Sequence, residues 1–120
     1  MADRFDETAE LRAQAGVQVA DLTVGQGTEA KAGHSVSVHY SGWLTDGKPF
    51  DSSRGGGSPF KFKLGGGQVI KGWDVGVEGM RIGGRRRLEI PAALAYGSRG
   101  VGPIPGNADL IFVVELLAVD

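Results

Sequence analysis

The chain has 120 residues and no cysteine, which excludes disulfides, thiol nucleophiles and thiolate metal sites while leaving the redox compartment open. Histidine is nearly as scarce. His34 and His39 are the two copies, and at five residues apart on one strand they face opposite ways, so neither supports a metal site. No sign of charge dominates: 13 Lys and Arg against 14 Asp and Glu leave a net charge of -1, without the basic footprint of a nucleic-acid binder. The opening residues, MADRFDETAE, lack the apolar stretch of a secretory signal, and no segment approaches the length of a membrane span. A soluble cytoplasmic protein is the expectation. Motifs of several enzyme classes are missing too. The glycine-rich GGGQVIKG at 65–72 contains neither GxxxxGK(S/T) nor GxGxxG, and no GxSxG elbow occurs. Arg81, Arg85, Arg86 and Arg87 have no stacking aromatics beside them and read as a solvated sheet face. No metal or cofactor is implied.

Among the residues that are present, 41% are apolar, enough for a single globular core. The 21 glycines include Gly55–Gly57 and Gly65–Gly67, too short for linkers and placed where tight turns or bulges need positive φ. Residues 1–15 read as a flexible leader, with Phe5 and Leu11 too sparse to define a buried face; residues 16–120 read as the domain. A first strand starts at Val17. His34, Val36, Val38 and Tyr40 alternate with polar neighbours as a half-buried strand. Asp46-Gly47 signals a hairpin leading into Pro49-Phe50-Asp51. Phe60, Phe62 and Leu64 alternate with lysines. Between Ile70 and Met80 the period changes: Ile70, Trp73, Val77 and Met80 recur at helical steps, although Gly72 and Gly76 make that helix dependent on docking. Arg85–Ile90 and Asp109–Val119 complete the strands, the latter apolar on nearly both faces through Leu110–Val114, as a central strand would be. The expected fold is α+β: an antiparallel sheet of about five strands wrapped around one short helix, without βαβ units or repeats.

The most informative residues are scattered. Tyr40, Phe50, Asp51, Phe60, Val69, Ile70, Trp73, Tyr96 and Phe112 each stand at the edge of an expected element, so only folding can gather them into an apolar cavity with a few polar handles. Taken singly, Phe60, Trp73 and Phe112 read as core, and Asp51 as a turn cap. The strings around them decide otherwise. Val38-His39-Tyr40-Ser41-Gly42, Asp46-Gly47-Lys48-Pro49-Phe50-Asp51-Ser52-Ser53-Arg54, Pro59-Phe60-Lys61-Phe62, Gly67-Gln68-Val69-Ile70-Lys71-Gly72-Trp73-Asp74 and Ala95-Tyr96-Gly97 resemble the FKBP-type peptidyl-prolyl isomerases, the immunophilins that bind tacrolimus and rapamycin. The resemblance runs over roughly residues 16–120.

That resemblance implies a rotamase acting on X–Pro bonds of peptides and unfolded proteins, inhibited by tacrolimus and rapamycin, and monomeric. Its alternative is a weakly catalytic or non-catalytic module that holds proline-bearing segments as a chaperone. By family position, Trp73 is the pocket floor and Phe60 and Phe112 line it, while Phe62 has no role beyond the core. Tyr40 partners the Phe50-Asp51 pair. Val69 and Ile70 meet the ligand, the Ile70 N–H donating to a ligand carbonyl. The Tyr96 hydroxyl meets the carbonyl before the proline-like ring. Asp51, Trp73, Tyr96 and Phe112 are thus the expected catalytic set. Two departures stand out. Gly56 occupies the place of an arginine that in much of the family pairs with the aspartate. The loop from Gly97 to Asn107 is one residue shorter than the familiar human form, with Ile104 in the place of the family's loop isoleucine.

Overall fold

The computed structural model describes residues 12–53 and 57–120. Among them run seven strands and one α-helix: β1 (Arg12–Gln14), β2 (Val17–Thr23), β3 (Ser35–Leu44), β4 (Pro49–Ser52), β5 (Phe60–Lys63), α1 (Lys71–Gly76), β6 (Arg85–Ile90) and β7 (Leu110–Val119). The strands form one antiparallel sheet in the order β1-β2-β6-β7-β3-β4, with β5 also paired to β3. The fold is the expected sheet around a single helix, with more strands than the five anticipated.

β7 is buried along Leu110–Val114 and lies between β6 and β3, which explains its apolar character on both faces. On the helix side, Val19, Leu88, Phe112 and Val114 join Val36, Val38, Phe62 and Leu64 in one core, against which Trp73, Val77 and Met80 pack. α1 is shorter than the Ile70–Met80 periodicity suggested. Its glycines explain how so short a helix lies flat: a Cβ on Gly72 would collide with Ile90, and one on Gly76 would come 2.9 Å from Leu88 Cδ2. Close approach to β6 replaces the propensity these glycines forgo.

Two expectations need correction. The leader was expected to extend to residue 15, but Arg12–Gln14 is a strand, joined to β2 by a two-residue turn at Ala15 and Gly16 with φ of 50° and 92°. Both central residues of such a mirror-image turn need positive φ; Gly16 supplies it freely, whereas Ala15 does so at a cost of about 1–2 kcal/mol. The rest of the expected leader, residues 1–11, lies outside the described residues. The arginine cluster is only in part a solvated face: Arg81 is exposed and Arg85 half-buried, whereas the other two are not. Arg86 and Arg87 point to opposite sides of β6, and both are buried. Arg86 bonds Asp21 Oδ1 at 2.7 Å and the carbonyls of Gly76 and Glu78, while Arg87 pairs with Glu89 at 2.6 Å. Arg81 bridges to Glu29 at 3.7 Å.

Candidate functional site

Trp73 sits in the only turn and a half of α1 and is 4% exposed. Four aromatic rings meet its indole: Tyr40 from β3 at 4.9 Å between centroids, Phe112 from β7 at 5.2 Å, Phe62 at 5.7 Å and Phe60 at 5.9 Å from β5. Tyr40, Phe60 and Phe112 present edges to it at 77°, 77° and 85°, the arrangement that ring quadrupoles favour. Phe50, on β4, meets Phe112 edge-on at 5.5 Å. Gly42 makes that contact possible, since a Cβ there would fall 2.7 Å from the Phe50 ring and 2.8 Å from that of Phe112.

These residues enclose an open cavity of about 180 Å³ lined by Tyr40, Phe50, Asp51, Phe60, Gln68, Val69, Ile70, Trp73, Tyr96 and Phe112. That is smaller than the roughly 300 Å³ at which drug-sized pockets begin. Phe60 and Tyr96 remain 40% and 38% exposed and form the rim.

The polar groups are few and placed. The Tyr40 hydroxyl donates to Asp51 Oδ2 at 2.8 Å, and Asp51 Oδ1 accepts the Ser52 N–H at 2.8 Å. Burial, reinforced by the hydrogen bond to and negative charge of Asp51, raises the Tyr40 pKa to about 12, so the phenol stays protonated. Burial and the same charge also raise that of Tyr96. The Trp73 indole Nε1 is buried without a hydrogen-bond partner among the described residues. Ile70 occupies the N-cap of α1 in extended conformation, φ -57° and ψ 148°, where its own N–H stands outside the helical ladder. Among the described residues no three His, Asp or Glu side chains converge as metal ligands, and no helix is long and apolar enough to cross a membrane.

Nine of the ten residues expected from the sequence therefore line one cavity. Ile104 does not. It is 6% exposed, belongs to the main core, and pairs reciprocally with Val101 through backbone hydrogen bonds of 2.9 Å, so that Val101 rather than Ile104 is turned to solvent. Gly56, where the family arginine was missed, lies outside the described residues. Two residues were overlooked. Gln68 lines the cavity, and its Oε1 accepts the Lys63 N–H at 2.9 Å. Asp74 accepts the N–H groups of Gly65 and Gly67 at 2.8 and 3.0 Å, tying the loop that delivers Val69 and Ile70 to the first turn of α1. An acidic residue in a first helical turn beside a glycine run was the available signal.

Comparison with known proteins gives the class. The model of the family described as FKBP-type peptidyl-prolyl cis-trans isomerase matches residues 26–117, and the chain belongs to that family. It is 60% identical over 104 residues, 87% of this chain and 21% of the relative, to FK506-binding protein 4 of Gibberella zeae. It is 56% identical over 106 residues to the 39 kDa FK506-binding nuclear protein of Drosophila melanogaster, covering 87% of this chain and 29% of that one. Among solved structures, a peptidyl-prolyl cis-trans isomerase from Pseudomonas syringae superposes with a TM-score of 0.82 at 38% identity, covering 92% of this chain and 80% of that one. The chain thus spans less than a third of the length of these two curated relatives.

Proposed function

We propose that the chain accelerates cis–trans exchange of X–Pro bonds in the cavity above Trp73. The observation that carries this is an aromatic cavity lined by Tyr40, Phe60, Trp73 and Phe112 together with Asp51, Ile70 and Tyr96. Rotation of the amide crosses a barrier of roughly 18–20 kcal/mol because resonance is lost on twisting. Cis and trans themselves differ by only about 0.5–1 kcal/mol, so the task is rate, without nucleophile or metal. The planar amide is more dipolar than the twisted one and better served by water. Phe60, Trp73 and Phe112 remove that advantage by seating the proline ring in an apolar site. The Ile70 N–H and the Tyr96 hydroxyl hold the flanking carbonyls, directing binding energy to the twisted state. Tyr40 and Phe50 shape the wall, Val69 meets the segment beside the ring, and Asp51 orients Tyr40.

Proline-bearing unfolded chains are the substrates in this reading, and tacrolimus and rapamycin compete for the same cavity. The isomerase domain begins no later than Arg12 and acts as a monomer, which sedimentation at micromolar concentration checks. Compartment follows from imaging the tagged protein: the cytoplasm is the expectation from sequence, and the nucleus is its rival because the Drosophila relative is named a nuclear protein. The deciding experiment measures exchange of an apolar-X–Pro peptide with and without tacrolimus. Acceleration that the macrolide abolishes is expected. An unchanged rate at micromolar protein, with proline peptide still bound, overturns the enzyme and leaves a binding module.

A further inference from the structure

α1 cannot stand alone. It has six residues, two of them glycine, no side-chain cap at its N-terminus and no basic residue in its last turn, far short of the length at which a helix persists in water. The carbonyls at its C-terminal end have no partners within the helix, and they are taken by side chains from across the sheet. Arg86 Nη1 reaches Gly76 O and Glu78 O at 2.9 Å each. Gln14 Nε2 reaches Val75 O at 2.7 Å and Glu78 O at 3.0 Å. Both partners of Gln14 are acceptors, so its amide nitrogen must face them and use both of its hydrogens. Val75 stands two residues after Trp73, whose own carbonyl bonds the Val77 N–H at 3.0 Å in the same turn.

We propose that Gln14 is a positioning residue for the pocket: from β1 its amide clamps the C-terminal turn of α1 and so sets the height and tilt of the Trp73 floor. The proposal rests on the isomerase reading of that pocket. Its particular content is that a residue upstream of the matched 26–117 stretch governs the site. The β1–β2 hairpin delivers it. Arg12↔Val19, Ala13↔Gln18 and Gln14↔Val17 fix the register, and Arg12 Nη1 bonds Asp21 Oδ2 at 3.0 Å, joining the hairpin to the Asp21–Arg86 pair that holds the same turn. A floor supported from one side by Arg86 alone would be free to rock about that point; Gln14 supplies the second.

The test compares Gln14→Ala, Gln14→Lys and Ala13→Ser, the last an exposed neighbour on the same strand that takes no part in the anchor. In Gln14→Ala, kcat/KM for an apolar-X–Pro peptide should drop roughly three- to tenfold, the scale of lost hydrogen bonds expressed as a rate. It should fall through kcat, at a temperature where the variant is fully folded. The Trp73 indole N–H resonance should shift while that of Trp43 stays. Lysine restores donors at a helix C-terminus, so Gln14→Lys should recover most of the rate, and Ala13→Ser should match the parent in both readouts. A lower melting temperature in Gln14→Ala with unchanged kcat/KM and an unmoved Trp73 signal would make Gln14 merely structural and overturn the proposal. If the parent has no isomerase activity, the isomerase reading fails by itself. The Trp73 resonance then still decides the clamp, a shift in Gln14→Ala supporting it and an unmoved signal overturning it.

Discussion

The two ends of α1 are held by opposite means. At the pocket end, Asp74 gathers the N–H groups of Gly65 and Gly67 through hydrogen bonds that lie open to water. At the far end, Arg86, 4% exposed, is locked between Asp21 and the carbonyls of Gly76 and Glu78, with Gln14 beside it. One end is a soft tether on a glycine loop, the other a buried anchor reaching three strands. A binding site benefits from this division: the floor must keep its place, whereas the rim carrying Gln68, Val69 and Ile70 must adjust to the chain that enters.

Breaking the anchor should cost most. Arg86→Met takes from Asp21 one of its two arginines and from the Gly76 carbonyl its side-chain donor, and should destabilise the domain by about 3 kcal/mol in urea unfolding, the lower end for a broken buried pair because Asp21 keeps Arg12 and 26% exposure. A loss within error would show that the far end is not an anchor. Asp51→Leu comes next. It removes the acceptor of Tyr40 at the pocket mouth and should weaken tacrolimus binding about tenfold, while Asp51→Asn retains part of the bond and much of the rate. Rotation breaks no bond to hydrogen, so a rate that followed one ionisation and vanished in Asp51→Asn would contradict catalysis by shape and desolvation. Cutting the tether should act more gently. Asp74→Ala should lower ligand affinity about three- to tenfold with little change in melting temperature, the reverse of the pattern at Arg86.

Titration separates the two ends without mutation. Burial pushes the Asp21 carboxyl up, but the hydrogen bonds and charges of Arg86 and Arg12 outweigh it, leaving the pKa below the ordinary 3.8. The anchor's contribution is therefore whole above that pH and fades as pH falls below it toward the folded value; Asp21→Asn should flatten this limb of the stability curve. Tyr40 behaves oppositely. Its pKa rises from 10.0 to about 12, so its contribution is whole below pH 10 and fades between there and 12. Both tyrosines of the chain are shifted upward, so phenolate absorbance should lag behind that of free tyrosine, and Asp51→Asn should bring Tyr40 closer to it.

Legibility in the sequence followed the same division. The pocket was readable because its walls are aromatic residues at element ends inside distinctive strings, and Tyr40, Phe50, Asp51, Phe60, Val69, Ile70, Trp73, Tyr96 and Phe112 do share one cavity. The sheet was readable from alternation and β7 from its double apolar face. The anchor was not. Alternation puts Arg86 on the face of Leu88 and Ile90, but its charge reads as belonging to water, and no local pattern announces the inward acceptors supplied by residues eight and ten positions away. Gln14 was hidden for a similar reason: its segment has too few apolar residues to look structured, and its partners are backbone atoms sixty-one and sixty-four residues distant. Ile104 was placed by analogy at the pocket, whereas the tight Val101–Ile104 hairpin turns it into the core.

The central position of β7 bears on how the domain comes into being. The strand that joins β6 to β3, and that contributes Phe112 to the cage, follows every other described element in chain order and so is synthesised after them. Until it arrives, the sheet exists as two halves with exposed edges, β1-β2-β6 on one side and β3-β4-β5 on the other, neither able to close a core. Folding must then zip distant segments together late, the slow kind of topology. A protein that would hasten rotation about proline in other unfinished chains has no complete pocket until β7 has brought Phe112 against β3.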